Sequence, residues 1–283
     1  MIDLHSHILP GLDDGSPDLS TSLDMARAAA ADGVMYLACT PHILPGLYHN
    51  TGEGIRAAVL ALQNALDAAA IPLRLVVGAD AHIGPDMVDG LRQGRILSIN
   101  DSRYVLVEPP HHVMPARLTE LFFTLSVAGY VPILTHPERL SWIKGHYDTI
   151  VKLIDAGAWM QITAGSLVGA FGRSPLYWAE RMLDEGRAHI IASDAHDLVR
   201  RPPLMRAGFE AAAKRVGDRE AETLVWSRPW GILSNDAPFN MPAPVGALEQ
   251  TAHGRSTSAP VVAGPGSGFS PGRLVSRLRE CFR

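Results

Sequence analysis

Residues 2–8 read Ile2-Asp3-Leu4-His5-Ser6-His7-Ile8, two histidines one residue apart on an alternating apolar run. A β-strand sends residues i and i+2 to the same face, so the run predicts a strand over 2–7 with Asp3, His5 and His7 on one side and Ile2, Leu4 and Ile8 on the other. Two imidazoles then converge on one point, which is half of a site for a zinc-like or manganese-like ion. The competing reading is a pair of histidines with no function, and the rest of the chain decides between them.

Outward from this strand, short β-branched or apolar runs alternate with longer Ala/Leu-rich helical patterns, the mark of βα units around a parallel sheet. Strands are predicted at 2–7, 34–40, 73–79, 104–108, 131–135, 159–163 and 188–193. Helices are predicted at 18–32, 53–69, 85–93, 115–128, 147–156, 175–185 and 204–216, the first beginning at Ser16-Pro17, a capping hydroxyl before a residue that needs no N–H partner. Seven units fit either an open doubly wound sheet or a closed barrel, and both place functional groups beyond the carboxyl ends of the strands. The polar residues at those ends separate the two: His5 and His7, His42, Asp80, Glu108, His136, and Asp194 with His196. In an open sheet they would be spread over several strand spacings of about 5 Å each, whereas a ring brings them together. The expected fold is therefore an α/β barrel of seven βα units, small and distorted.

The chain has 283 residues, 47% hydrophobic and 19% charged, with a net charge of -4, so a sizeable core is available and no basic field draws it to nucleic acid. Its most apolar stretch, 23–40, is interrupted by Asp24, Arg27 and Asp32, which predicts no membrane span. Cys39 and Cys281 are far apart in sequence, arguing against a disulfide framework and for a reducing, cytoplasmic setting, with Cys39 a small buried hydrophobe. From about 236 the periodicity stops. Residues 236–272 read as a Gly/Pro-rich linker, and 273–283 as a short basic amphipathic helix that leaves peripheral docking open. Residues 1–235 form the expected catalytic domain.

Singly, each strand-end residue has an ordinary explanation: His42 terminates a strand, Glu108 caps a loop before Pro109-Pro110, and His136-Pro137-Glu138-Arg139 is a solvated turn. Together they predict a pocket with several metal ions. Imidazole and carboxylate donors with no thiolate beside them except Cys39 leave manganese, zinc or iron, in two or three copies. Such a cluster suits displacement at phosphorus, because it lowers the pKa of a bridging water and neutralises phosphoryl oxygens. Cys39 lacks the Gly-rich loop and arginine of a cysteine phosphatase, and no Lys-Ser/Thr phosphate loop is present.

His5-Ser-His7, Asp13-Asp14-Gly15, Thr40-Pro-His42, Asn100-Asp-Ser-Arg-Tyr104 followed by Glu108, His136-Pro-Glu-Arg139, Ser193-Asp-Ala-His196 and Arg201-Pro-Pro resemble the PHP (polymerase and histidinol phosphatase) superfamily. More narrowly they resemble its CpsB/CapC-type branch, manganese-dependent protein-tyrosine phosphatases of capsular and exopolysaccharide synthesis. The similarity spans about 1–235 in order, and the tail lies outside it. The resemblance implies a trinuclear centre on a distorted barrel: His5, His7 and Asp194 hold one ion, Glu108 and His136 a second, and Asp14, His42 and His196 a third. A glutamate after strand three bridges the first two ions in that family, where this chain has Asp80, one methylene shorter. His82, two residues on, either assists there or is a solvent-facing loop residue, the reading preferred. Arg139 and Arg201 match positions from which a planar guanidinium grips phosphate, and either could instead pair with a carboxylate. The catalytic assignment falls on these two arginines and His42.

The expected activity is hydrolysis of phosphotyrosine on a protein by a metal-bound hydroxide, with Mn2+ as first choice and Zn2+ or Fe as others. The resemblance implies a bacterial tyrosine kinase of polysaccharide export as substrate. A phenolate leaving group departs without a strong general acid. Three rivals stand beside it: a small-molecule phosphatase such as histidinol phosphatase, a weakly catalytic kinase-binding module disabled by Asp80, and a cyclic-amide hydrolase. The last usually needs a strand-end lysine, and none is present here.

Overall fold

The computed structural model of the protein describes residues 1–246. Its strands are β1 (Ile2–Asp3), β2 (Tyr36–Cys39), β3 (His42–Leu44), β4 (Tyr48–His49), β5 (Arg74–Val77), β6 (Asp80–His82), β7 (Tyr104–Glu108), β8 (Val131–Thr135), β9 (Trp159–Thr163) and β10 (Ile190–Ala192). They form a parallel sheet β1-β2-β5 and a second sheet β10-β9-β8-β7-β6-β3-β4, parallel except for the β3-β4 hairpin. The two are joined where the chain beyond β1 meets the chain beyond β10: Ser6 bridges Ala195, His7 N donates to Ala195 O at 2.8 Å, and Asp194 N donates to His5 O at 2.9 Å. The result is the distorted seven-unit α/β barrel that the alternation predicts.

The distortion has a local cause. Two of the seven strands change sheet midway: β2 gives way to β3 across Thr40-Pro41, and β5 to β6 across Gly78-Ala79. Pro41 has no N–H to extend a ladder, and a glycine interrupts a strand readily. The predicted strands 34–40 and 73–79 thus stop at Cys39 and Val77, and His42 and Asp80 open new segments, paired with each other. The predicted strand 2–7 shortens likewise to Ile2–Asp3, because from His5 onward the backbone bonds across to residues 194 and 195.

Helices cover the outside: α1 (Leu19–Asp32), α2 (Gly52–Ala68), α3 (Met87–Arg92), α4 (Leu118–Val127), α5 (Ile143–Asp155), α6 (Ala164–Leu167), α7 (Arg173–Asp184), α8 (Arg206–Glu222) and α9 (Arg228–Leu233). The cap of α1 is Asp18, whose Oδ1 accepts from Thr21 N at 2.8 Å, and not Ser16. Ser16 is buried, its N–H bonded to the His7 carbonyl and its hydroxyl to Asp18 O and Ser22 Oγ, so it is unavailable as a cap. Alternation along the strands divides the core. Tyr104, Leu106, Ile133, Trp159 and Ile190 fill the barrel interior with Ile2 and Leu4, while Val105, Val107, Leu134 and Met160 pack outward among helix residues such as Met25, Leu62 and Phe122.

The end of the barrel opposite the site is closed by the last described residues. Ile232 of α9 and Met241 join the interior cluster, and the buried Arg228 donates to His189 O, Glu220 Oε1, Pro242 O and Ala243 O. Asn100, Arg103 and Tyr104 bond residues 233, 235 and 236, so the Asn-Asp-Ser-Arg-Tyr stretch fastens this closure. The linker expected from 236 therefore begins inside a segment that packs as far as 246. The remainder of that linker, and the helix expected at 273–283, lie outside the described residues.

Candidate metal centre

The phase of each strand and a few irregular residues bring the polar side chains to one end of the barrel. On β7, Glu108 follows Tyr104 and Leu106 on the interior face, and on β9, Gln161 follows Trp159. His136 has the phase of the outward Leu134, but its backbone is left-handed (φ 34°, ψ 52°), and its Nε2 lies 3.5 Å from Glu108 Oε1. Asp194 is also left-handed, at φ 52°. Such conformations cost energy in a non-glycine residue and concentrate at functional sites.

His5 and His7 meet Nε2 to Nε2 at 3.1 Å. Asp194 Oδ1 lies 3.3 Å from both nitrogens, and Asp80 Oδ2 lies 3.4 Å from His5 Nε2 and 3.3 Å from His42 Nδ1. Asp14 Oδ1 stands 3.4 Å from both His42 Nε2 and His196 Nε2. Four groups have ligand atoms mutually within 4.8 Å: His7 with Asp14, His42 and His196; His5 with His7 and Asp80; His42 with His82 and Glu108; and Glu108 with His111 and His136. All nine residues expected as ligands, His5, His7, Asp14, His42, Asp80, Glu108, His136, Asp194 and His196, lie in this one cluster. Although a methylene short, Asp80 reaches both His5 and His42.

Several of the expected ligands are held from behind. Asp13 Oδ2 accepts from His7 Nδ1 at 2.6 Å and also from His42 N, while its Oδ1 accepts from Gly15 N. That fixes the His7 tautomer with Nε2 toward the centre. His5 Nδ1 donates to Gln161 Oε1 at 2.9 Å, and His196 Nδ1 donates to Asp194 O at 2.9 Å. Gly15 is required at its place, because a Cβ there would overlap the His7 carbonyl and Cβ.

The donor set fits divalent ions. Asp80 Oδ1 and Oδ2, Glu108 Oε2, His42 Nδ1, His136 Nδ1 and His196 Nε2 are buried with no hydrogen-bond partner, a cost that ligation would remove. The electrostatics of the pocket favour positive charge. Burial would raise the Glu108 carboxyl, but the imidazoles of His111, His42, His82 and His136 around it outweigh burial and hold the group well below the carboxylate range. Burial opposes ionisation of Asp194 as well, and His5, His7 and Arg139 overcome it. Burial, reinforced by the Arg139 charge, keeps His136 neutral. For His5 burial is outweighed by Asp80 and Asp194, which lift it to about 9. For His42 burial gives way to Asp80 and Glu108, which lift it to about 11. Carboxylates that hold protons on buried imidazoles this strongly mark a place where positive charge belongs.

The centre opens into a cleft of about 310 Å3 rimmed by Leu44, Leu47, Tyr48, Arg139 and Arg201. Arg139 Nη1 is paired with Asp194 Oδ2, and its guanidinium lies 4.4 Å from the Phe171 ring centroid. Arg201 is 3.2 Å from Asp14 Oδ2 and 3.6 Å from Asp194 Oδ2. Here both arginines take the carboxylate pairing left open by the sequence, at the mouth where a phosphate would enter. The turn at 136–139 is not the solvated one of the ordinary explanation but a buried 3-10 turn: Glu138 is 1% exposed, its Oε1 accepting from Thr163 N and Ser166 Oγ. Asp3 does not join the centre; its Oδ1 accepts from His5 N and Ser193 N, tying the first strand to the last. Cys39 is fully buried in the outer core, and burial pushes its thiol pKa up, which suits no nucleophile.

Sequence reading left Asp13, Gln161 and His111 without a role and, for His82, preferred a solvent-facing loop to a part in the site. His82 lies on β6 with its Nε2 2.5 Å from Glu108 Oε2, and His111 Nε2 is 3.0 Å from Glu108 Oε1. The spacing Glu108-Pro-Pro-His111 was a usable signal for the latter; nothing local marks Gln161.

The family model described as "Capsular polysaccharide synthesis, CpsB/CapC" matches residues 1–234. The tyrosine-protein phosphatase YwqE of Bacillus subtilis is 37% identical over 242 residues, 86% of this chain and 95% of that protein. The tyrosine-protein phosphatase CpsB of Streptococcus pneumoniae is 28% identical over 238 residues, 82% of this chain and 98% of that protein. A crystal structure from work on YwqE and CpsB, described there as unique metal-dependent tyrosine phosphatases, superposes with a TM-score of 0.82 at 33% identity, covering 87% of this chain and 99% of that one. With a matching barrel, and with its histidines and carboxylates gathered at one end of it, the chain belongs to the CpsB/CapC family of capsular polysaccharide synthesis.

Proposed function

We propose that this protein is a metal-dependent tyrosine-protein phosphatase, and that its substrate is a phosphotyrosine protein of polysaccharide synthesis, in keeping with the expected bacterial tyrosine kinase. The observation that carries the reading is the convergence of nine histidines and carboxylates, several with orphaned buried atoms, beneath a cleft rimmed by two arginines. His5, His7 and Asp194 would hold one ion, Glu108 and His136 a second, and Asp14, His42 and His196 a third, with Asp80 beside His5 and His42. Bound there, divalent ions supply an acidified water and positive charge against the phosphoryl oxygens. Mixed nitrogen and oxygen donors suit manganese, zinc or iron, with manganese our first choice from the resemblance.

The chain's own residues do the rest. Arg139, its plane set against Phe171, and Arg201 sit where two guanidiniums can exchange their carboxylate partners for the phosphoryl oxygens and orient the group. Tyr48 stacks on His42 with centroids 5.6 Å apart and planes at 17°, and beside it Leu47 is 62% exposed. This apolar lip suits a flat aryl group and a protein segment lying outside the cleft. The phenolate of tyrosine leaves with a pKa of about 10, so the absence of an obvious general acid among these residues is no obstacle. Among the described residues no helix is long and apolar enough to cross a membrane. A cytoplasmic location rests on the cysteine usage of the sequence.

Phosphate release from a phosphotyrosine peptide and from histidinol phosphate, compared on metal-loaded protein, tests the reading. A kcat/KM preference for the peptide is expected, and a preference for histidinol phosphate would overturn the choice of substrate.

A further inference from the structure

Glu108 is surrounded by four imidazoles, two on each oxygen. His42 Nδ1 and His82 Nε2 face Oε2 at 3.2 and 2.5 Å, while His136 Nε2 and His111 Nε2 face Oε1 at 3.5 and 3.0 Å. His42 and His136 belong to the ligand set implied by the resemblance; His82 and His111 do not. Each added histidine completes a group of two imidazoles and one carboxylate within 4.8 Å.

Both are built into place. His82 pairs with Glu108 itself in the β6-β7 ladder, and on the same strand Asp80 lies two residues away. The His111 carbonyl accepts from both Ser141 N and Ser141 Oγ, at 3.0 Å each. Around Oε2 the contacts are close, yet neither Glu108 Oε2 nor His42 Nδ1 makes a hydrogen bond. Donor atoms that approach one another without a proton aligned between them are arranged as ligands are, and on Oε1 the His111 imidazole donates at 3.0 Å, a bond that it would exchange for an ion.

We propose that His82 and His111 are metal ligands on either side of Glu108: His82 faces Oε2, and His111 together with His136 faces Oε1, so that Glu108 lends one oxygen to each of two ions while His42 keeps its Nε2 for the ion of Asp14 and His196. Where Asp80 is shorter than the expected glutamate, the two histidines add nitrogen donors. The two added imidazoles weight the donor set toward zinc, against the harder manganese ion that the resemblance alone suggests, whose preferred ligands are oxygens. The proposal rests on the metal-dependent reading above.

The test is equilibrium competition of zinc and of manganese against a fluorescent chelator, for the wild-type protein and for His82→Phe, His111→Phe and the double variant. X-ray absorption of the zinc-loaded proteins counts imidazoles per ion. Neither side chain lies in the hydrophobic core, and circular dichroism checks that the variants fold. Zinc affinity should fall at least about 10-fold for each substitution, more steeply than manganese affinity, and the imidazole count per zinc should drop. Unchanged zinc affinity and imidazole count, or zinc and manganese affinities that fall together, would overturn the proposal while leaving the phosphatase reading intact. A wild-type protein that takes up neither ion would overturn both.

Discussion

Asp13 touches no substrate in this account, yet it holds the His7 ring, the His42 backbone and the Gly15 turn at once. Replacing it by Asn keeps the shape and removes the charge that fixes the His7 tautomer. Asp13→Asn should therefore lower metal affinity or kcat/KM by about 10- to 100-fold with little change in thermal stability, as calorimetric metal titration would show. An unaltered affinity would mean that His7 is oriented by other contacts. Gly15 acts by size alone: a methyl group there meets the His7 carbonyl, so Gly15→Ala should cost about 1–3 kcal/mol in urea unfolding. A neutral result would show that the Asp13-Asp14-Gly15 turn can shift away from His7. Membership of the cluster was legible at this scale because His and Asp stand at strand ends in the 2–8 and 193–196 stretches. Partners such as Gln161 were not, since a buried amide on β9 carries no local sign of the ring it meets from another strand.

The elements show where local rules give way to neighbours. The βα alternation located all seven strand positions, and β7, β8 and β9 match their predicted ranges. The sheet changes at Thr40-Pro41 and Gly78-Ala79 went unread, although proline and glycine marked both, because which sheet a strand joins next depends on residues far along the chain. At the closed end, His189 illustrates how a buried element titrates. Its Nδ1 accepts from Met160 N, and its carbonyl accepts from Arg228. Burial, and then the Arg228 charge, lower it to about 3. A histidine kept neutral in the folded state takes up a proton only on unfolding between pH 6.5 and about 3, so its contribution is complete above 6.5 and lost as pH falls through that window. Each pH unit there should remove about 1.4 kcal/mol of stability. His189→Asn, which retains an acceptor but does not titrate, should flatten the dependence of the urea midpoint between pH 6.5 and 5. Equal slopes for the two proteins would assign the acid sensitivity to other groups.

Across the molecule, the barrel divides labour between its ends. One end is fastened by Arg228, Tyr104 and the segment to 246, and the other gathers imidazoles and carboxylates beneath Arg139 and Arg201. The sequence showed that such a gathering needs a closed ring of strands, and its resemblance to the CpsB/CapC branch agrees with the family match over residues 1–234. It did not show how far packing continues past 235, because Pro242 and Ala243 contribute only backbone carbonyls to the closure, and any residue has one. The central claim is that the clustered histidines and carboxylates work as a metal-dependent phosphatase centre. Its most direct measurement is phosphate release from a phosphotyrosine peptide by protein stripped of divalent ions with a chelator, then titrated with manganese or zinc. Activity should vanish on stripping and return as ions are added back. A stripped protein that keeps its rate would contradict the account.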